Sequence, residues 1–386
     1  MATHSARDAR PLPPRDRLRS IVECPLHILH LYKDYYPVLG GIENHIRVLA
    51  EAQVEAGHTV SVLVCDPGRR TRKQVVNGVN VIKAGRLATA ASMPVSLRQP
   101  WHLLSSSPDV IHVQSPYPLG EMSAFLLKPR TPLVISYQSD IVRQRGWLRL
   151  YAPMLRAVLR HAAKILVSSP RYLATSPWLG SVRDKCVVVP LGVDLERFSP
   201  PPHPYQGPPT LLFVGRLRYY KGLDTLLQAV ATLPENVHLR IVGRGEMLEA
   251  LQSMSASLDL SDRVTFVGDV SDVDLPAEYQ RASVFVLPSN ARAEAFGMVL
   301  LEAMASGLPC VTTEVGTGTS WVVHHGVTGL VVPPRDPDAL AATLQELLAD
   351  PQQLYEMGQA ARARAVAEFA QERLVDRVMA VYQSLV

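Results

Sequence analysis

The chain has few cysteines and no long apolar run. Its four cysteines are widely scattered, without the CxxC or Cys/His spacing of a zinc site, and are typical of reduced thiols in a cytosolic protein. Residues 1–22 are rich in Arg and Pro and lack the apolar stretch of a signal peptide, so we expect a disordered tail there. No later run reaches the roughly 18 apolar residues of a spanning helix. We therefore expect a cytoplasmic protein, with any membrane contact peripheral and at the inner face of the cell membrane.

An excess of charge of one sign is also lacking. The formal net charge is +4 over 386 residues, without a long basic block, which argues against nucleic-acid binding. Hydrophobic residues make up 47% of the chain, and at this length they can bury large cores, more readily two than one. The composition indicates a two-domain soluble enzyme.

Short β-branched runs alternate with amphipathic stretches, which predicts repeated βα units and parallel sheets. One series runs from LHILHLY to CVVVPLG and a second from TLLFVGR to GLVVPP, separated by the proline-rich DLERFSPPPHPYQGPP. The predicted fold class is α/β, with two Rossmann-like doubly wound domains and an active site in the cleft between them. The expected segments are an N-terminal domain at 23–192, a linker at 193–208, a C-terminal domain at 209–368 and a final helix at 369–386 that packs on the first domain.

Two glutamates stand eight residues apart in SNARAEAFGMVLLEAMASGLPCV, where a loop runs through Gly297 into an apolar helix. At a rise of about 1.5 Å per residue, Glu302 lies about 7 Å along that helix, while Glu294 stays in the loop. Between them, backbone N–H groups and the positive end of the helix favour a phosphate. Carboxylates accept hydrogen bonds from vicinal hydroxyls. The layout therefore suits a diphosphate with a hydroxylated group on each side, which is the form of a nucleotide sugar.

The segment GRLRYYKG adds two cations at the predicted cleft. Arg216 follows an apolar strand and Lys221 stands at the start of a predicted helix, where both can bind a diphosphate and offset charge growing on it as it leaves. Alone, they would more simply be a solvated loop arginine and a surface lysine. The glutamates have similar alternatives: Glu302 could be an exposed helix residue, and Glu294 could be a charge on a loop.

With these motifs, the chain resembles the family 4 retaining glycosyltransferases, which have the two-domain GT-B fold. Each matching piece is weak alone, but together they keep the family's order and span nearly the whole chain after the tail. The pieces are VLGGIENHIRVLAEAQVEAGHTVSVLV, VPLGVDLERF, FVGRLRYYKG, EAFGMVLLEAMASGLPCV and HHGVTGLVVPPRDPDAL.

The resemblance implies a role for each site residue. Arg216 and Lys221 would bind the donor diphosphate, Glu294 the sugar hydroxyls and Glu302 the ribose, so that Arg216, Lys221 and Glu294 are the catalytic candidates. Base choice would depend on the loops around Gly243, Gly268 and Asp269. Further donor contacts would come from Gly41, Ala295, Phe296, Gly297 and Met298.

The acceptor-side candidates lie in the first half. Glu43 and Asn44 follow the Gly-Gly turn of LGGIENH, and His112, Gln138 and Asp140 follow two predicted strands. Many relatives carry a histidine where Gln138 stands, and glutamine cannot act as an acid or base near neutral pH. This departure puts a histidine-dependent role there in doubt. His112 is equally well explained as a packed strand-end residue.

Asp272 and Asp274 have the DxD spacing that signals a metal in other glycosyltransferases. An N-cap and a first-turn acid before a helix explain them more simply. Because Arg216, Lys221 and helix N-termini supply positive charge, no metal or other cofactor is expected.

The segment RQRGWLRLYAPMLRAVLRHAAK interleaves basic and apolar residues. Such a helix either lies on an anionic membrane and reaches a lipid-linked acceptor, or packs its apolar side in the core with its arginines in water. Both interpretations stay open at this point.

The resemblance implies transfer with retention of anomeric configuration. No carboxylate nucleophile can be named, so same-face attack by the acceptor hydroxyl is favoured over double displacement. Segments such as SSPRYLATSPWL resemble bacterial mannosyltransferases of surface-polysaccharide assembly, which favours GDP-mannose, with a UDP-sugar as the alternative donor. The acceptor would be a glycan, a lipid-linked molecule or a small molecule. A nucleotide-sugar epimerase of the same fold and a non-catalytic sugar-binding protein are the competing interpretations.

Overall fold

The computed structural model describes residues 24–38, 40–90, 93–140, 145–202 and 207–386, so the expected tail lies outside the described residues. The chain divides into two compact units. The described residues up to Ser136, with Pro153–Lys164 and Val381–Val386, form the first unit. Those within Tyr137–Ala152 and Ile165–Ala380 form the second.

The larger sheet has eight strands in the order β10-β9-β8-β7-β1-β2-β4-β3. The pairings of β1 with β2 and with β7 are parallel, as the βα rhythm predicts, and β3 adds an antiparallel edge. β5 and β6 pair antiparallel in a separate two-stranded sheet. The strands are β1 (His27–Leu31), β2 (Thr59–Cys65), β3 (Arg72–Val76), β4 (Val79–Ala84), β5 (Ala88–Ala90), β6 (Met93–Val95), β7 (Val110–Ser115), β8 (Leu133–Tyr137), β9 (Lys164–Val167) and β10 (Cys186–Val188).

Two of the helices that accompany the larger sheet begin at residues that favour a helix start. Pro118 and Pro170 each stand in the first turn of a helix, where the missing N–H costs no hydrogen bond. Ser169 caps the second of these by accepting a hydrogen bond from the Tyr172 N–H. The helices are α1 (Gly41–Glu55), α2 (Arg98–Ser105), α3 (Pro118–Leu127), α4 (Arg145–His161) and α5 (Pro170–Thr175).

The second sheet is parallel, with six strands in the order β13-β12-β11-β14-β15-β16. Its order reverses at β11 and β14, so the carboxyl ends of these two strands form the switch point where ligands bind in open sheets. The strands are β11 (Thr210–Val214), β12 (His238–Val242), β13 (Val264–Gly268), β14 (Val284–Leu287), β15 (Cys310–Thr313) and β16 (Gly329–Val332).

Helices follow these strands and bury their apolar residues against them. Leu226, Leu300 and Leu344 are fully buried in one continuous hydrophobic core with the strand residues Phe213 and Phe285. The helices are α6 (Leu223–Thr232), α7 (Leu248–Ser257), α8 (Leu275–Gln280), α9 (Met298–Ala305), α10 (Thr319–Val322), α11 (Pro337–Ala349), α12 (Pro351–Glu368) and α13 (Gln371–Gln383). Among the described residues, no helix is both long and apolar enough to cross a membrane.

The first unit contains a buried histidine cluster. His30 on β1 and His112 on β7 occupy paired positions with ring centroids 5.2 Å apart, and His45 on α1 is also buried. Tyr382, near the end of the chain, belongs to the same unit, and its hydroxyl hydrogen-bonds His112 Nδ1 at 2.5 Å. Burial lowers the pKa of His30 to about 4 and that of His45 to about 3, so both are neutral near pH 7.

Candidate active site

The loops that leave β11 and β12 lie very close together in the second unit. Gly243 has φ of 122°, and a side chain there would collide with the carbonyl oxygen of Gly215. The Gly243 N–H donates to the Gly268 carbonyl at the end of β13. Gly243 and Gly268, both predicted donor-loop residues, therefore meet at the carboxyl ends of adjacent strands.

Lys221 is held at this edge by backbone contacts. It ends a single 3-10 turn, Tyr219–Lys221, directly before α6, rather than beginning the helix as predicted. The Asn290 N–H donates to the Tyr220 carbonyl at 2.9 Å, which ties this turn to the loop after β14. The turn places the Lys221 side chain at the switch point formed by the carboxyl ends of β11 and β14.

The amine of Lys221 lies 2.6 Å from Glu294 Oε2. Both side chains are nearly buried, at 11% and 12% exposure. Ser289 Oγ also donates to the same carboxylate oxygen, at 3.4 Å. The structure thus brings together two residues that are 73 positions apart in sequence and were assigned by separate motifs. The attraction within a nearly buried ion pair is strong because solvent is excluded, although the cost of desolvating both charges offsets it, and either partner left alone would be costly.

The loop from Glu294 to Gly297 leads into α9, which begins at Met298 as predicted. Gly297 takes a left-handed conformation, with φ of 81°, at the N-cap position, where a Cβ would press on Leu300 and Leu287. Thr317 donates to the Glu294 carbonyl at 2.7 Å and the Gly318 N–H to the Ala295 carbonyl at 2.8 Å. These contacts fix the backbone that presents the glutamate.

Glu302 lies on α9 and receives a hydrogen bond from the hydroxyl of Tyr279, at 2.6 Å. Tyr279 is fully buried, edge-on to the rings of Phe198 and tilted against Phe285. Burial raises the pKa of Glu302, and the Tyr279 hydrogen bond partly opposes that rise. Tyr279 therefore holds one carboxylate oxygen and fixes its orientation, a role that the sequence motifs did not reveal.

On the resemblance's assignment of Glu302 to the donor ribose, replacing Tyr279 with phenylalanine should raise the KM for the donor about fivefold with little change in kcat, because the carboxylate loses its positioning partner. Without the opposing hydrogen bond, the pKa of Glu302 should rise further. The pH at which donor affinity falls on acidification should then move upward. Steady-state kinetics across pH measure both effects. A loss of activity that is equal at every pH, with no shift in the pH at which donor affinity falls, would mean that Tyr279 only supports packing.

Arg216 and Asp269 lie at the same strand ends but are exposed. Asp269 pairs with Arg244, with 3.6 Å between Oδ2 and Nε, and both side chains are about 70% exposed. This surface pair contributes little to stability. Sequence reasoning did not single out Arg244, although it follows β12 as Arg216 follows β11.

In the first unit, Gly41 begins α1 and Glu43 lies in its first turn. Glu43 is 9% exposed, and its carboxylate packs against Gly40, where a Cβ would collide with it. Asn44 is exposed, and its N–H donates to the Gly40 carbonyl at 2.9 Å. Three of the predicted residues therefore share the first turn of one helix.

His112 is fully buried, with its Nε2 2.8 Å from Ser136 Oγ. Burial holds the pKa of His112 well below its usual value. These contacts match the packed strand residue that the sequence allowed.

Asp140 lies in the second unit, within a network centred on Arg292. The Arg292 guanidinium donates to Asp140 Oδ2 at 2.9 Å and also to Thr175 and the Gly316 carbonyl. The hydroxyls of Tyr137 and Ser176 donate to Asp140 Oδ1. Asp140 is thus strongly engaged, and it anchors the arginine two positions before Glu294. Gln138, two residues before Asp140, is partly buried.

The DxD residues each have a protein partner. Asp272 accepts from Arg197, with 3.3 Å between Oδ1 and Nη2, and Ser271 Oγ donates to Asp274 Oδ2 at 2.6 Å. Asp274 stands at the N-cap position of α8 but its side chain makes no capping hydrogen bond, and Asp272 precedes the helix rather than lying in its first turn. Across the described parts of the chain, no group of three His, Cys, Asp or Glu side chains is placed to hold a metal ion.

The basic helix expected around 147–164 corresponds to α4. Its early side chains, including Trp147 and Arg149, lie outside the described residues. In the described part, Leu155, Val158 and Leu159 are buried, whereas Arg156 and Arg160 are exposed. The described part of α4 therefore agrees with the alternative in which the apolar side of the helix packs in the core and its arginines face water.

One largely parallel sheet and one fully parallel sheet, each packed with helices, and a Lys/Glu pair at the carboxyl ends of the second sheet, are features of a GT-B glycosyltransferase. The chain belongs to the glycosyl transferases group 1 family: that family model matches residues 196–364, and a glycosyl transferase 4-like domain matches residues 40–192. The chain is accordingly a glycosyltransferase, which confirms the fold class and the family resemblance.

Relatives and a solved structure agree with this assignment. The chain is 37% identical to the D-rhamnosyltransferase WbpZ of Pseudomonas aeruginosa, over 88% of this chain and 91% of that protein. It is 32% identical to the O-antigen chain mannosyltransferase C of Escherichia coli, over 93% and 99%. The fold matches Anabaena HepE, solved in complex with UDP and glucose, with a TM-score of 0.74 at 19% identity over 93% of this chain and 100% of that one.

Proposed function

We propose that this glycosyltransferase moves a hexosyl group, with mannosyl favoured, from a nucleotide diphosphate sugar to a hydroxyl of a glycan, lipid-linked or small-molecule acceptor, with retention of configuration. The nearly buried Lys221–Glu294 pair at the switch point carries the proposal. It joins a cation for the donor diphosphate to a carboxylate for sugar hydroxyls. The rhamnosyltransferase and the mannosyltransferase among its relatives support transfer of a hexosyl group.

The proposed step is same-face attack. The acceptor oxygen forms a bond to the anomeric carbon as the bond to the diphosphate oxygen breaks, and the diphosphate takes the acceptor proton. Lys221 and Arg216 stabilise the negative charge on the departing diphosphate, and no metal is required for this. Glu294, already paired with Lys221, would hold sugar hydroxyls rather than attack carbon. Glu302, oriented by Tyr279, would bind the ribose.

The donor base is tested by thermal unfolding with GDP, UDP, ADP and TDP, without and with magnesium. A ligand that binds only the folded protein at about 100 times its Kd adds about 2.7 kcal/mol of stability, which should raise Tm by several degrees. A rise selective for GDP would support GDP-mannose. A rise selective for UDP would favour a UDP-sugar, in keeping with the UDP bound to HepE. Absence of any shift would count against the proposed donor site.

Product analysis separates transfer from epimerisation. A transferase should produce a glycosylated product only when an acceptor is added, and a retaining one should keep the anomeric configuration of the donor. Interconversion of donor sugars or release of nucleotide without any acceptor would instead indicate an epimerase. Inversion of configuration would overturn the same-face step.

A further inference from the structure

One stretch of the first unit departs strongly from the charge of the rest of the chain. Residues 67–108 contain seven Lys or Arg residues and no Asp or Glu, a formal charge of +7, whereas the whole chain carries +4. The remainder is therefore net negative, at −3. Four of the seven stand within RRTRK at residues 69–73, and the other three are spread through the rest of the stretch. The seven are Arg69, Arg70, Arg72, Lys73, Lys83, Arg86 and Arg98.

Three of these cations are engaged within the protein. Arg72 lies 3.3 Å from Asp66, Lys83 donates to the Tyr36 carbonyl at 2.9 Å, and Arg86 donates to the Asp66 carbonyl at 3.2 Å. Arg98 also donates to the Arg69 carbonyl, but it is exposed, as are Arg69, Arg70, Arg72 and Lys73. The excess positive charge therefore reaches the surface.

The same stretch exposes large apolar side chains on α2 and its cap. Leu97 is 74% exposed, Trp101 69% and Leu104 48%. Their spacing of four and three residues places them on one face of the helix. The opposite face carries Gln99 and Leu103, which are buried. The helix thus already packs its inner face and leaves an apolar row facing outward.

Cations border this apolar row. Arg98 directly follows Leu97, and its guanidinium reaches the Arg69 carbonyl at 3.5 Å. The pKa of His102, next to Trp101, is lowered by partial burial and then by the nearby charges of Lys73 and Arg98. Lys73 of the edge strand β3 and Arg98 of α2 therefore lie close to the same histidine. We call this set, Leu97, Trp101 and Leu104 with Lys73 and Arg98, the α2 surface.

We propose that the α2 surface docks on an anionic lipid bilayer. A tryptophan and leucines fit the boundary between headgroups and acyl chains, and flanking Lys and Arg side chains reach lipid phosphates. The lack of Asp and Glu within residues 67–108 leaves this stretch with excess positive charge, which is complementary to negatively charged headgroups. Docking would bring the first unit to a membrane independently of α4, whose residues Leu155, Val158 and Leu159 are buried. The proposal does not depend on the donor or on the transfer reaction.

The test is co-sedimentation of the full chain with vesicles of phosphatidylcholine alone or with roughly one third phosphatidylglycerol. Binding should require the anionic lipid and weaken as salt is added. Arg98→Gln should lower the partition coefficient about fivefold, and Trp101→Ala about tenfold. Leu97→Ser, at the exposed cap position, provides a second apolar variant and should also weaken binding.

Matched controls lie in the second unit. Tyr355→Ala removes another large side chain, 56% exposed on α12, and Arg373→Gln removes an exposed cation on α13. Both should bind vesicles like the wild type, and all variants should keep the wild-type Tm. Equal binding to neutral and anionic vesicles, or no binding at all, would overturn the proposal. Equal losses of vesicle binding in the two control variants would also overturn it. The same holds if the α2 surface binds an acidic protein but no vesicles.

Discussion

Lys221→Ala should lower kcat by about two to three orders of magnitude while changing the affinity for the bare nucleoside less than about threefold. The lysine amine lies 2.6 Å from Glu294 in a nearly solvent-free position. There, a cation stabilises developing diphosphate charge far more than it would in water. The nucleoside carries no such charge and should bind almost unchanged. Initial-rate kinetics, together with titration of the nucleoside and the nucleoside diphosphate, measure both quantities.

Loss of the lysine also leaves the Glu294 carboxylate without its cation, which can destabilise the fold by about 3–5 kcal/mol. The double variant Lys221→Ala/Glu294→Gln separates this effect from catalysis, since it removes both charges. Its Tm should recover toward the wild type while kcat stays low. Arg244→Ala, which removes an exposed cation from the neighbouring loop, should change kcat only slightly. Equal losses of turnover and nucleoside affinity in Lys221→Ala would mean that the lysine serves ground-state binding only.

The regular βα rhythm made most of the fold predictable from sequence. Every strand expected from a β-branched run is present, since period and composition act locally. The first unit contains further strands that were not expected. Among them, β3 and β4 form a hairpin around Asn77 and Gly78, both with positive φ. Asn-Gly between short apolar runs is a strong hairpin signal, so this part was predictable from VVNGVNV.

The candidate site was predictable where a motif carries both residue type and local geometry. The start of α9 and the loop position of Glu294 follow from one contiguous segment. Contacts between distant segments cannot be predicted from one contiguous segment. Arg292 binds Asp140 across 152 positions, and Tyr279 binds Glu302 from another helix, so no spacing rule reveals either partner. Lys221 lies in a 3-10 turn because Gly222 takes a left-handed conformation, with φ of 69°, and separates it from α6.

The histidine cluster of the first unit should make that unit sensitive to acid. His30 has a folded pKa of about 4, against about 6.5 for an unperturbed histidine, because burial penalises its charged form. As pH falls below about 6.5, the unfolded chain takes up protons that the folded unit cannot. The free energy of unfolding should therefore be independent of these groups above about pH 7 and should fall below it.

Each buried histidine should contribute a slope of about 1.4 kcal/mol per pH unit between its unfolded and folded pKa. His30, His45 and His112 together would give up to about 4 kcal/mol per pH unit near pH 5.5, a large part of a typical stability of 5–15 kcal/mol. Hydrogen exchange of the β1 and β7 amides, followed from pH 7 to pH 5, would report this unit even if the two units unfold separately.

The variant His30→Gln removes one of the three titrating groups, and glutamine can still hydrogen-bond Gln53, which lies 2.8 Å from His30 Nε2. Its slope should be smaller than that of the wild type by about 1.4 kcal/mol per pH unit, whatever the variant costs at pH 7. His324→Gln, at an exposed histidine of the second unit, should leave the slope unchanged. Equal slopes for His30→Gln and the wild type would show that His30 accepts a proton in the folded unit over the same pH range as in the unfolded chain.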